Sequence, residues 1–232
     1  RIGRFGPDGT PRLIAGHNLT LVTLGGFILW LAWFGFNAGS TLTSSGNLGK
    51  IMLNTHLAGV SAVTAYLVIS GVMRKAILLS DTVNISLAGL VAITAGCATM
   101  SPVYAIVTGV GACLSYLAVK RLLDKVQMDD AVYAVAVHVG GGVWGTLAAG
   151  LFYEGDLFDT HRIIVQLMGI GAMFVWSFGL GMVVYFVIEK TIGLRVPAQH
   201  EQRGLDFTEH AEGAYPEFQD SLFSQQTLTE RH

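Results

Sequence analysis

The sequence predicts an all-α membrane protein, a polytopic bundle of six transmembrane helices. Of its 232 residues, 52% are apolar and only 13% are charged, and the mean hydropathy is +0.54. The charges fall in short clusters separated by uncharged runs of about 20 residues, the length that crosses a bilayer as a helix. A net charge of −2 gives no basic surface for nucleic acid. No nucleophile, metal or phosphate motif is present, so we expect neither an enzyme nor a cofactor.

Six runs without Lys, Arg, Asp or Glu are candidate spans. They cover residues 19–37, 51–73, 83–99, 102–119, 131–153 and 163–188. The third is the shortest, and Pro102 begins the next, so we expect a tight turn between them. The chain then divides into an N-terminal segment 1–18, a transmembrane domain 19–188 and a C-terminal tail 189–232. An even number of spans places both ends on one side of the membrane.

Lysine and arginine are distributed unevenly between alternate connections. Twelve of the fourteen lie in the termini and in the loops on their side, whereas the other loops contain only Lys50 and Arg162. Because cytoplasmic loops are enriched in basic residues, we expect a multi-pass protein of the cell membrane with both termini in the cytoplasm. The connections near 38–50, 98–101 and 154–162 would then face outward.

His138 is an ionisable residue inside the fifth predicted span. If residues 131–150 form one helix, most neighbours of His138 at three and four positions are alanines and glycines. The imidazole would then project from a face of small side chains, with room beside it. An ionisable group in a span often marks a pore or relay, but a lone histidine also serves as an interhelical hydrogen-bonding group. The pattern alone leaves both interpretations open.

A second candidate site lies at the outer end of the first span. Leu29, Trp33, Phe36 and Ser40 follow one another at spacings of four, three and four, which aligns them on one face of a helix. Aromatic rings attract a cation, and a hydroxyl oxygen accepts a hydrogen bond from an ammonium-like donor. The stripe therefore suits a vestibule for a small cation. The alternative is that the aromatic residues are ordinary interfacial anchors.

Five stretches of the sequence form a specific combination. They are Trp33 to Ser40 (WFGFNAGS), Asn54-Thr55 with Ala58, Gly89 to Cys97, Asp129-Asp130 with His138 and glycines through Gly145, and the tail from Gly193 to Tyr215. In order and spacing they resemble the ammonium transporter family, in its Amt/Mep branch. Members have eleven transmembrane helices in two pseudo-symmetric halves. The resemblance implies that this chain is the sixth to eleventh helices plus the cytoplasmic tail, without the first five.

The resemblance implies a role for each residue of the two candidate sites. Phe36 would be one of the stacked rings that gate the outer mouth, and Ser40 the hydroxyl of the external recruitment site. Trp33 and Leu29 would line the path just inside. His138 would be the second of two pore histidines, the first being supplied by the missing half.

Two further regions gain roles from the resemblance. Asp130 matches a carboxylate that holds local structure near the cytoplasmic start of the pore helix, although Tyr133 stands where a further acidic residue is usual. The tail, which its polar composition alone would leave disordered, would pack on a neighbouring subunit of a homotrimer, near the docking place of a PII-type regulatory protein. Its candidate residues are Gly193, Arg195, Asp206, His210, Glu212 and Tyr215.

The implied function is an ammonium transporter or channel. Ammonium would be held at the outer mouth and would lose its proton near the aromatic gate, because moving a bare charge through an apolar lumen costs several kcal/mol or more. Neutral ammonia would then cross a hydrophobic pore. The alternative is an ammonium sensor or regulatory subunit without transport of its own. A chain with half of the pore wall is expected to conduct poorly by itself.

Overall fold

The computed structural model describes residues 3–6, 8–12, 14, 16–44, 46–213 and 215, and these are predominantly helical. In chain order the helices are α1 (Leu19–Gly39), α2 (Leu48–Val72), α3 (Leu79–Thr94), α4 (Pro102–Lys125), a π-helical segment (Ala136–Gly140) continuing into α5 (Gly141–Leu151), α6 (Thr160–Thr191), α7 (Ala198–Arg203) and α8 (Leu205–His210). The chain falls into two compact units whose boundary lies between Ser177 and Phe178, inside α6.

The helical membrane bundle predicted from the sequence is confirmed, but the number of spans is not. Among the residues that the structure describes, four helices, α1, α2, α4 and α6, are long and apolar enough to cross a membrane by length and composition. The third predicted span corresponds to α3, which has only 16 residues, and the fifth to the π-helical segment together with α5. Both are shorter than predicted because residues 95–99 and 131–133 lie in turns.

Local chemistry explains where several helices begin. The side chain of Asn18 accepts a hydrogen bond from the backbone N–H of Leu21, which caps the start of α1. Pro102 occupies the first position of α4, where its missing N–H costs nothing. Asp159 precedes α6 and accepts hydrogen bonds from the backbone N–H groups of Arg162 and His161. These bonds lower the pKa of Asp159.

Helix α3 lies at the centre of the unit 4–177 and contacts α1, α2, α4 and α5. Small residues let the backbones approach closely, as is usual where helices associate in lipid. A Cβ atom at Gly109 of α4 would lie 2.2 Å from the carbonyl oxygen of Ala58 on α2. A Cβ atom at Gly145 of α5 would lie 2.1 Å from the carbonyl oxygen of Ala92 on α3. Neither glycine tolerates a side chain without moving a helix.

The turn between α3 and α4 is held by a buried amide from another helix. The Nδ2 atom of Asn54, on α2, donates to the carbonyl oxygens of Cys97 and Met100 at 2.9 Å each. Both carbonyls belong to the turn 95–101, so one side chain satisfies two buried backbone acceptors. A tight turn was expected here, and the hydrogen bonds from Asn54 fix it at the C-terminal end of α3.

Candidate functional site

The stripe of Leu29, Trp33, Phe36 and Ser40, which we call the outer stripe because the sequence predicts that it faces outward, is formed by the last three turns of α1 and by Ser40 after them. The rings of Trp33 and Phe36 are in contact, with centroids 5.7 Å apart and planes tilted by 57°. Ser40 follows the last residue of α1, and its hydroxyl donates to the carbonyl oxygen of Phe36 at 2.6 Å. Leu29 lies one turn before Trp33. Phe36 is 59% exposed and Leu29 is 44% exposed, so both present apolar surface outside the packed interior.

Trp33 is fastened to α3. Its indole Nε1 donates to the hydroxyl of Thr94 at 3.0 Å, and that hydroxyl donates in turn to the carbonyl oxygen of Leu90 at 2.8 Å. The ring orientation is therefore set by two consecutive hydrogen bonds. Thr94 was not a candidate in the sequence, since its role depends on a contact between residues 61 positions apart.

His138 lies on the second helix of the site, within the π-helical segment Ala136–Gly140. The prediction of one helix over 131–150 is wrong at its start, because the helix begins only at Ala134 and Ala131 lies in the preceding turn. Wider π turns of this kind are frequent at functional sites. The His138 side chain is exposed, and among the described residues it has no hydrogen-bond or ring partner.

Two of the glycines after His138 allow close helix packing, as glycines between membrane helices are expected to do. Gly141 and Gly145 are buried against α3, where Cβ atoms would lie 2.9 Å from the carbonyl oxygen of Ala88 and 2.1 Å from that of Ala92. They allow α5 to pack closely on α3. The imidazole of His138, in contrast, is exposed.

Asp130 determines where this helix starts. Its carboxylate is 8% exposed and accepts backbone N–H bonds from Ala134 at 2.8 Å, from Val135 at 2.7 Å and from Ala136 at 3.4 Å. A negative charge at a helix N-terminus is favoured by the helix dipole as well as by the hydrogen bonds. Asp130 thus fixes the helix that carries His138, two turns away along the chain.

A buried charged cluster, which we did not identify from the sequence, lies near this helix start. Lys120 of α4 contacts both carboxylate oxygens of Asp81, at 2.6 and 2.8 Å, and the Tyr116 hydroxyl donates to the same carboxylate at 2.9 Å. Asp81 is 6% exposed. A buried carboxylate needs such partners to offset its desolvation. The only available sequence signal was the position of Asp81 just before the third apolar run.

Tyr133 connects this cluster to the N-terminal segment. Its ring centroid lies 4.3 Å from the Lys120 Nζ atom and 4.9 Å from the Arg4 guanidinium carbon. Arg4 also donates to the Tyr133 hydroxyl at 2.6 Å and to Asp124 at 2.7 Å. Two cations therefore contact one aromatic ring. At this position a phenol accepts the hydrogen bond from Arg4.

Helix α6 ends abruptly just before Gly193, the first candidate residue of the tail. Gly193 has φ +82°, and its N–H donates to the carbonyl oxygen of Ile188 at 2.9 Å, the type of bond that closes a helix at a left-handed glycine. Arg195 then forms an ion pair with Glu201 of α7. The first part of the tail is therefore ordered by its own contacts, where polar composition alone predicts disorder.

The remaining tail candidates surround α8. Asp206 lies in its first turn and His210 is its last residue, where an acidic and a basic side chain respectively suit the helix dipole. The backbone N–H of Glu212 donates to the carbonyl oxygen of Asp206 at 3.2 Å, which folds the chain back on the helix end. Tyr215 follows. The last part of the predicted tail, residues 216–232, lies outside the described residues.

The two candidate sites border the same helix. Trp33 of α1 is bonded to Thr94 of α3, and Gly141 of α5 packs on Ala88, six residues earlier on α3. The contacts of Gly141 and Gly145 progress along α3 in the same direction, so α5 and α3 are parallel. His138 precedes Gly141 and therefore lies on the order of 13 Å from the level of Trp33 along the bundle.

Comparison with known proteins gives a consistent result. The model of the Ammonium Transporter Family matches residues 1–215. The ammonium transporter Amt2 of Archaeoglobus fulgidus is 38% identical over 94% of this chain and 50% of its own length. The ammonium transporter 1 member 4 of Arabidopsis thaliana is 33% identical over 96% of this chain and 51% of its own length. The chain thus spans about half the length of the curated relatives it matches.

Solved structures show the same similarity. A protein described as "Sensor Amt Protein" is 39% identical and superimposes with a TM-score of 0.84, covering 89% of this chain and 53% of that one. The crystal structure of Candida albicans Mep2 shares the fold, with a TM-score of 0.75 at 24% identity over 85% of this chain and 48% of that one. The match of the family model over most of the chain, together with these relatives, establishes that the chain belongs to the ammonium transporter family.

Proposed function

We propose that this chain forms one half of the wall of an ammonium pore, and that the complete protein carries ammonium nitrogen across the membrane as ammonia. The observation that supports this most strongly is the state of His138. It lies on a helix fixed by Asp130 and α3, yet the side chain is exposed and unpaired among the described residues. An ionisable side chain in a membrane segment is expected to face a polar cavity or a partner instead of lipid.

In this proposal the opposite wall of the pore comes from a part of the protein outside these 232 residues. The chain's coverage of about half of its relatives is consistent with this. So is the exposure of Leu29 and Phe36, which belong to a helix that is fastened to α3 through Trp33. Helices from the rest of the protein that cover this surface would enclose the side chains of Leu29, Trp33 and Phe36 together with that of His138.

Recruitment would take place at the outer stripe. The Ser40 hydroxyl uses its hydrogen to bond the carbonyl oxygen of Phe36, so its lone pairs remain available to accept N–H bonds from ammonium. The neighbouring rings of Phe36 and Trp33 add cation–π attraction. Because Trp33 is held by Thr94, this attraction does not require the indole to become ordered when the cation binds.

Conduction beyond the stripe would require the substrate to lose its charge. Leu29 offers only apolar surface on the path, where a bare cation would be strongly disfavoured. Ammonia is neutral and can pass, and the imidazole nitrogens of His138 can exchange hydrogen bonds with it. The aromatic stripe then selects the cation, while the lumen admits only the base.

The test is uptake of labelled methylammonium by cells that lack their own ammonium transporters and express the complete protein containing this chain. Replacing His138 by alanine removes one lumen hydrogen bond, worth about 1–1.5 kcal/mol, so we expect uptake to fall by roughly tenfold. The matched control is Val139→Ala, an exposed neighbour in the same π-helical segment, which should retain normal uptake. Equal uptake by the two variants at equal expression would contradict a lumen role for His138.

A sensor without transport of its own is the second candidate, because one structural relative at 39% identity is described as a sensor. The wild-type protein in the same assay separates the two functions. A transporter raises methylammonium uptake above that of cells without the protein, whereas such a sensor leaves it unchanged.

We further propose that the complete protein is a homotrimer of the cell membrane with a cytoplasmic tail that contacts the neighbouring subunit and a PII-type regulator. The bias of basic residues toward the termini supports this orientation. Native mass spectrometry of the purified protein should show three copies, and deletion of residues 193–215 should abolish binding of a PII-type protein. A stable monomer would contradict the trimer, and binding that survives the deletion would contradict the regulatory role of the tail.

A further inference from the structure

The π-helical segment Ala136–Gly140, which carries His138, is bonded to α4 through Ser115. The hydroxyl of Ser115 donates to the carbonyl oxygen of Gly140 at 2.7 Å. Gly140 is buried at this contact, and a Cβ atom there would lie 3.4 Å from the Ser115 Oγ atom and 3.2 Å from the Cγ2 atom of Val119. Ser115 and Val119 are one turn apart on α4, so α4 supports the C-terminal end of the segment from one side.

The bond of Ser115 differs from those of other hydroxyl groups in this bundle. Serine and threonine in a helix commonly bond a carbonyl oxygen three or four residues earlier, as Thr64, Thr82 and Thr108 do here. Within the described part of the chain, the hydroxyl of Ser115 bonds only the carbonyl oxygen of Gly140, 25 positions along the sequence. Its single hydrogen therefore joins two helices.

Contacts from outside hold both ends of the π-helical segment. π-Helices are rare and occur mostly as single turns within α-helices, and an uncommon backbone conformation persists only where the surrounding structure holds it. The carboxylate of Asp130 accepts a hydrogen bond from the backbone N–H of Ala136, the first residue of the segment, and Ser115 donates to Gly140, the last. His138 lies midway, two residues from either end.

The direction of the His138 side chain depends on this backbone. The imidazole is exposed, and in the region that the structure describes it has no hydrogen-bond or ring partner of its own. A π turn contains more residues than an α turn, so each residue rotates by less than the 100° of an α-helix. If the segment relaxed to an α-helix, His138 would rotate relative to Gly141 and Gly145, which are packed on α3.

We propose that Ser115 is a positioning residue for His138. Its hydrogen bond to Gly140 keeps the π turn, and the π turn holds the imidazole in the direction in which it meets ammonia. Ser115 acts through the backbone, without touching the substrate. The inference rests on the function proposed above, in which His138 lines the lumen, and it adds a residue of α4, a helix that held none of the sequence candidates.

The test is a double-mutant cycle on methylammonium uptake by the complete protein at equal expression. Ser115→Ala removes one neutral hydrogen bond, so we expect the maximal uptake rate to fall by about threefold to fivefold. The half-saturating concentration should stay the same, because the outer stripe is untouched. In the His138→Ala background the same substitution should have no further effect, since no imidazole remains to be positioned.

The matched control is Ser61→Ala. The hydroxyl of Ser61 on α2 also bonds a carbonyl oxygen of another helix, that of Ile106 on α4, at 3.1 Å. This variant loses the same kind of interhelical bond without loss of a contact to the π-helical segment, so its uptake should stay normal. A loss equal to that of Ser115→Ala would show that any such bond in the bundle matters equally, and would overturn the positioning role.

The outcomes separate this inference from the proposed function. Normal uptake by His138→Ala alone would contradict the proposed function, and this inference with it. If His138→Ala lowers uptake, two results overturn the role of Ser115 and leave that of His138 in place. One is a loss from Ser115→Ala by the same factor in both backgrounds, and the other is no loss in either.

A second measurement does not depend on transport. Hydrogen exchange followed by mass spectrometry should show faster exchange of residues 136–141 in Ser115→Ala than in Ser61→Ala, and equal exchange would show that the bond does not hold the π turn. Gly140→Ala replaces Ser115→Ala in the cycle if the latter fails to fold. Its added methyl group would lie 3.2 Å from Val119, closer than ordinary van der Waals contact, and should lower uptake only where His138 is present.

Discussion

At the scale of single residues, the stripe on α1 is held by one bond to a residue distant in sequence and by contacts within its own helix. Trp33 donates to Thr94 and contacts Phe36, and Ser40 donates to the Phe36 carbonyl. The alignment of these residues was predictable, because helical spacing alone places them on one face. The bond from Trp33 to Thr94 was not, because it depends on how α1 packs on α3.

Trp33→Phe tests what the indole N–H contributes. The ring is largely kept, but the hydrogen bond to Thr94 is lost, and the Thr94 hydroxyl keeps its bond to Leu90. Without this bond the ring is held less firmly, and we expect the binding free energy of methylammonium to weaken by about 1 kcal/mol. In the complete protein this corresponds to an approximately fivefold rise in the half-saturating methylammonium concentration. Trp30→Phe is the matched control, since Trp30 lies on the same helix outside the stripe. The same rise in both variants would contradict a specific role for the bond to Thr94.

Asp130→Ala tests the cap of the helix that carries His138. A nearly buried carboxylate is removed and three backbone N–H groups lose their acceptor, so we expect the free energy of unfolding to fall by about 1–3 kcal/mol. Asp129→Ala removes an exposed carboxylate at the adjacent position and should have little effect. Thermal unfolding of the purified protein measures both. A similar midpoint for the two variants would show that the cap is not needed.

At the scale of helices, the existence of the elements followed from runs of uncharged apolar sequence, but their ends did not. The helix found at the predicted span 83–99 ends earlier than predicted and the one at 131–153 begins later, because part of each span lies in a turn. Hydrogen bonds of Asn54 and Asp130 stabilise these turns and the helix ends beside them. The π-helical segment at His138 was also not predictable, because residues 134–145 are small or apolar at every position except His138, and such a run does not reveal a shift in helical phase. These irregular places are where the candidate sites are positioned.

Asn54→Ala tests the fastening of the α3–α4 turn. Loss of the amide leaves the carbonyl oxygens of Cys97 and Met100 buried without their donor, at a cost of about 1–3 kcal/mol. We expect faster hydrogen exchange in residues 95–101, measured by mass spectrometry on the complete protein. Asn47→Ala, at an exposed cap position without a side-chain hydrogen bond, is the control. Unchanged exchange in the turn after Asn54→Ala would show that other contacts hold it.

At the scale of the whole molecule, the charged cluster around Tyr133 explains how one end of the bundle is held together. Asp81 and Lys120 join α3 to α4, and Arg4 joins the N-terminal segment to the start of the His138 helix through Tyr133. None of this was predictable from the sequence, in which Arg4, Asp81 and Lys120 are more than 30 positions apart and each has the pattern of an ordinary surface charge.

One exposed side of the bundle carries residues from both candidate sites. Leu29, Phe36 and His138 are exposed on helices whose other sides pack on α3. The central claim is that these three side chains line one narrow cavity once the rest of the protein is present. The competing explanation for their exposure is contact with lipid. Of the three side chains, only the ionisable one of His138 would be costly to place in lipid.

The most direct measurement is a cryo-electron microscopy structure of the complete protein in a lipid nanodisc with methylammonium. We predict a water-poor cavity running from Phe36 past Leu29 to the imidazole of His138, closed on its far side by helices from outside this chain. An imidazole that faces lipid, or one enclosed in solid protein without access to the space below Phe36, would contradict it.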